Sequence, residues 1–77
     1  MAVIVYFSKI SEDERSIRYS FGPGPGQMAR VLTFDKTTGQ PTPQDDRRDH
    51  AFLAAARKIT AALQDRETWP ERGMHVS

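Results

Sequence analysis

No cysteine occurs in this chain of 77 residues. Disulfides, thiolate metal sites, iron–sulfur clusters and cysteine nucleophiles are thereby excluded from it. Secreted domains of this size are often stapled by disulfides, so a reducing, cytoplasmic setting is expected. Long apolar runs are also missing. The stretch Ala2–Phe7 falls far short of the roughly 20 residues that cross a bilayer. It also lacks the basic start and small-residue cleavage site of a signal peptide, and no membrane contact is expected. Neither sign of charge prevails: 11 basic and 10 acidic side chains leave a formal charge of +1. Residues 1–40 hold five basic and four acidic groups, and residues 41–77 hold six of each. The basic stripe that counterion release on nucleic acid demands is absent from these totals.

A chain this short buries only about 60–65% of the surface its unfolded form exposes. It reads as one domain over residues 1–77, with a core of few large side chains. Residues 2–8 form the first expected strand, because Val3, Ile4, Val5, Tyr6 and Phe7 are β-branched or aromatic. Val3, Val5 and Phe7 point one way and Ile4 and Tyr6 the other, so this strand is apolar on both faces. The Ser11…Glu14 spacing suits a capping box and a single helical turn. Residues 15–21 then alternate cleanly: Ile17, Tyr19 and Phe21 share one face, Ser16, Arg18 and Ser20 the other. A breaker, Gly22-Pro23-Gly24-Pro25-Gly26-Gln27, joins this strand to a third over residues 28–35 as a wide hairpin. Leu32 and Phe34 are placed on the core face of that strand, with Ala29, Val31 and Thr33 opposite.

A turn at residues 35–39 follows, with Gly39 in the left-handed position. Residues 40–43 can pair only as an edge stub, since Pro41 and Pro43 limit the ladder. Thr42 then reads as the cap of a helix with Pro43 at its first position. Phe52, Ala55, Ala56, Ile59, Ala62 and Leu63 recur at helical spacing, and the alanines among residues 51–63 favour the helix intrinsically. A helix over residues 45–66 runs about 33 Å, longer than a seven-residue strand of about 23 Å. Its charged start, residues 45–50, is expected to overhang the sheet. Trp69 is expected to fold back on the core's edge, and residues 74–77 to fray as a disordered tail. The expected fold is α+β: a three-stranded antiparallel sheet, order 1-2-3, with one long carboxy-terminal helix on one face (β-β-β-α).

The Gly22–Gln27 loop has no lysine, loses two NH groups to proline and leads into a strand, unlike a phosphate-binding loop. Asp46, Asp49 and His50 sit at one-turn spacing, but two or three ligands beside Arg47 and Arg48 fall short of a metal centre. His50 and His75 gain no assignable serine and orienting acid, and the acids of residues 12–14 and 45–46 lie in exposed polar runs. No enzyme, cofactor or metal site is expected. What remains is the second sheet face, with Ile4, Tyr6, Arg18, Val31 and Thr33 as candidate interaction residues. The β-β-β-α layout resembles sheet-reading DNA modules, such as the ethylene-response-factor domain and the amino-terminal domains of some phage-type integrases. That resemblance implies a sheet laid in the major groove with arginines reading bases, here Arg18 with Arg15 and Lys9 nearby.

The leading expectation is a protein-interaction or assembly module. In a simple meander the first strand lies at an edge, and an unguarded apolar edge tends to pair. Its partner would be residues 74–76, a second copy forming a homodimer through the first strand or the open sheet face, or another protein; nucleic acid is the alternative partner. Arginine outnumbers lysine eight to three, which with the alanine content points to a GC-rich bacterial genome.

Overall fold

Alternation along residues 16–22 sets the core. Ile17, Tyr19 and Phe21 are fully buried, joined by Val5 and Phe7 on one side and Leu32 and Phe34 on the other. Phe52, Ala54, Ala55, Ala56 and Ile59 of the helix close over them. Each fully buried branch or ring here contributes about 1.5–3 kcal/mol. The rings lock edge to face: Phe7 on Tyr19 at 5.8 Å and Tyr19 on Phe34 at 6.3 Å.

The computed structural model describes residues 4–76. Along them run β1 (Ile4–Glu12), β2 (Ser16–Gly22), β3 (Arg30–Asp35), β4 (Pro41–Pro43), α1 (His50–Arg66) and β5 (Arg72–Val76). Val3 and Ser77 lie outside the described residues. The strands form one antiparallel sheet of five, in the order β4-β3-β2-β1-β5. The α+β class stands, but the expected three-stranded sheet is the middle of a wider one. The stub becomes β4, and the segment expected to fray becomes β5 through Val76, paired along β1 from Ser8↔Arg72 to Ile4↔Val76. The first strand is accordingly not an edge. Its second apolar face stays only partly covered, with Ile4 exposed and Tyr6 half-buried.

Local chemistry explains the other departures. No helical turn forms at residues 11–14, because β1 continues to Glu12 and Asp13 takes the amides that a helix would use. Asp13 Oδ1 accepts from Arg15 N and Ser16 N, each at 2.8 Å, and these bonds hold its pKa below the ordinary value. Between Lys9 and Ser11 the register slips, leaving Ile10 as a bulge. Gly39 turns at φ 75°, while Asp35 Oδ1 accepts from Thr37 N and Thr38 N. That turn commits Thr42 and Pro43 to pair with Thr33 and Leu32, so Thr42 cannot cap.

The helix starts instead at His50, with Asp49 as cap accepting from Phe52 N at 3.1 Å. Residues 44–49 form a loop rather than an overhanging helix, and Asp46 sits at φ 63°, which a helix forbids. Arg30 ties this loop to β3: its guanidinium reaches Asp45 at 2.9 Å and Asp49 at 2.8 Å, and lies 4.7 Å from the Phe21 ring. The Arg30 bonds are the main cause that lowers the pKa of both carboxyls. The remaining 17 residues of α1 make about 26 Å, which fits over the sheet. Glu67 ends the helix at φ 61°. Trp69 then packs on Phe34 at 5.2 Å, and Tyr19 Oη donates to Pro70 O at 2.6 Å, which delivers the chain to β5.

Candidate functional site

The helix covers one face of the sheet and leaves the other open. Ile4, Tyr6, Arg18, Val31 and Thr33, the residues singled out by alternation, all belong to the open face, but they do not form one cluster. Arg18 stands opposite Thr33, and Val31 opposite Ser20. Ile4 and Tyr6 lie two strands away from Val31, separated by Ser20 and Gly22. Lys9, expected beside Arg18, turns to the helix side and is held by Glu71 at 2.9 Å and Glu12 at 3.1 Å. Those two bonds raise its pKa, that to Glu71 most.

Strand β5 supplies what the sequence reading missed. Val76 stands opposite Ile4 and Met74 opposite Tyr6. Ile4, Met74 and Val76 are 41%, 48% and 54% exposed, so with Tyr6 they make one apolar strip at the sheet's end. Pro25 and Met28 of the β2–β3 loop, with Tyr6 and Met74, line a groove of about 440 Å³ beside it. The signal available in the sequence was the alternation of Met74 and Val76, which matches that of Ile4 and Tyr6 on β1.

The edges differ in their backbone chemistry. Lys9 N donates to Glu71 O at 2.7 Å, so in this antiparallel pair Gly73 and His75 turn their backbone groups inward to β1. Arg72, Met74 and Val76 turn theirs outward, with no ladder partner among the described residues. On the opposite edge, Asp35 N donates to Gln40 O and Gln44 N to Val31 O. Thr42 therefore faces β3, and the outward positions are Pro41 and Pro43, which have no N–H to offer.

The metal and hydrolytic candidates disperse. Asp49 is spent on the Arg30 clasp and the helix cap, Asp46 lies in the left-handed turn, and His50 is exposed at the start of α1. His75 stands opposite Val5 on β5. Among the described residues, no group of three or more His, Cys, Asp or Glu gathers as metal ligands would. No helix among them is long and apolar enough to cross a membrane. Comparison with protein-family models, with curated proteins and with solved structures finds no match for this chain.

Proposed function

We propose that this chain is a protein-interaction module that receives its partner along the outer edge of β5 and the apolar strip beside it. One observation carries the reading: the β4 edge presents two prolines, whereas the β5 edge presents the outward-turned backbone of Arg72, Met74 and Val76. Unguarded edges pair with other chains, and main-chain ladder bonds then supply affinity while neighbouring side chains supply choice. The apolar strip of Ile4, Tyr6, Met74 and Val76 extends the contact on the open face. The reading puts the contact on β5 and not on the first strand, since β1 is paired on both sides.

A photo-crosslinking residue introduced in cells at Val76, and separately at Thr42, tests the reading. Discrete protein adducts are expected from position 76 and not from position 42. Adducts of equal yield from both edges, or from neither, would overturn it.

A further inference from the structure

We infer that the segment received at β5 is an extended peptide carrying acidic side chains at alternate positions, with apolar ones between; this rests on the edge function proposed above. A strand added to β5 lies about 4.8 Å beyond it and sends its side chains alternately to the two faces of the sheet. The two faces of β5 offer different chemistry. On the open face Tyr6, Met28 and Met74 stand around the apolar groove, with Arg72 at its end. On the helix face, a cleft of about 390 Å³ separates β5 from the second half of α1.

Two cations, Lys58 and Arg66, border that cleft against one carboxylate, Asp65, while Arg72 contributes backbone to it and shares the open face with Met74. Among the described residues neither makes an ion pair, while Lys9, Arg30 and Lys36 all do. Three small residues leave the cleft its room. Gly73 has no side chain, and a Cβ there would come within 2.8 Å of the Phe7 ring, which forms the floor. Ala61 and Ala62 keep the helix wall low. A carboxylate on a short stem reaches the cations from an added strand, and its methylenes lie on Phe7. Charge complementarity thus selects acidic residues on this side, and the groove selects apolar ones on the other.

Selection of random peptides displayed on phage against the immobilised chain provides the test, read together with amide hydrogen exchange of β5. Enriched peptides are expected to carry Asp or Glu at every second position and to protect the Met74 and Val76 amides. The double variant Lys58→Gln/Arg66→Gln, folded by circular dichroism, should bind a selected peptide roughly three- to tenfold more weakly and with less dependence on salt. Peptides that protect β5 without acidic alternation would overturn this inference and leave the edge function standing. Protection of β5 that grows with protein concentration alone would replace the peptide by a second copy, and so overturn it too. Selection yielding no peptide that protects β5 would remove both.

Discussion

The two edges of this sheet are built by opposite means. At β4 three residues suffice: Pro41 and Pro43 face outward and Thr42 alone joins the ladder on its inner side. The strand is short and donor-free, the usual protection against edge-to-edge pairing. At β5 five residues run without a proline, and among the outward-turned residues only Arg72 carries charge. The edges also differ in how they are anchored. β4 is followed by a loop that Arg30 clasps through Asp45 and Asp49, a polar fastening at the surface. β5 is seated on the core itself, by Gly73 on the Phe7 ring and by the Tyr19 hydroxyl on Pro70 just before it. A strand held firmly from beneath yet left open at its side is suited to receive another strand; a strand closed at its side needs no such seat.

The largest effect should come from disturbing that seat. In Gly73→Val the new side chain meets the Phe7 ring, starting from a Cβ only 2.8 Å away, and either the ring or β5 must move. The expected cost is about 2 kcal/mol, read by chemical denaturation. Amides of Val5 and Phe7, which pair with β5, should exchange faster with it, while those of β3 keep their protection. Uniform loss of protection across the sheet would show that β5 is no more than one more strand of a single cooperative unit.

The contrast between the edges also explains what was legible in the sequence. Ile17, Tyr19, Phe21, Leu32 and Phe34 declare the core by their two-residue rhythm, because burial of one face acts on each strand locally. The helix declares its buried stripe in the same way. Its start misleads, because Thr42-Pro43 satisfies the rules for a cap and first turn while ladder pairing with Leu32 and Thr33 decides otherwise. The true cap, Asp49, is held by Arg30, 19 positions away, and no window along the chain contains both. β5 is harder still: Arg72-Gly73-Met74-His75-Val76 has little strand propensity, and its partner lies at the other end of the chain. The residues of the candidate site that came from alternation, Ile4 and Tyr6, were therefore found without the Met74 and Val76 that complete their strip.

A smaller effect is expected at the other fastening. Arg30→Gln removes the guanidinium whose hydrogen bonds hold Asp45 and Asp49 below their ordinary pKa. A carboxyl depressed in this way favours the folded state at pH above its unfolded pKa, near 4, and ceases to do so as pH falls through the lower folded value. The variant should melt about 5 °C below the wild type at pH 7, and the gap should close below about pH 4 as both carboxyls take up protons. A gap that persists in acid would assign the fastening to the Arg30–Phe21 stack rather than to the ion pairs. Because these groups are partly exposed, salt should narrow the gap as well.

The smallest change in stability, and the sharpest test of the comparison, belongs to Met74→Pro. Met74 turns its N–H away from β1, as Pro41 and Pro43 turn their nitrogens away from β3, so proline there removes no ladder bond. The fold should lose less than about 1 kcal/mol, because the exposed Met74 side chain contributes little to the core. The outer edge, however, would then lack a donor at its centre and carry a ring where an added strand must approach. Crosslinking from position 76 and binding of selected peptides should both disappear in a protein that is otherwise intact by denaturation and circular dichroism. If both survive, the contact does not run through the ladder of β5, and the prolines of β4 would be a matter of local turn chemistry rather than a guard that one edge has and the other lacks.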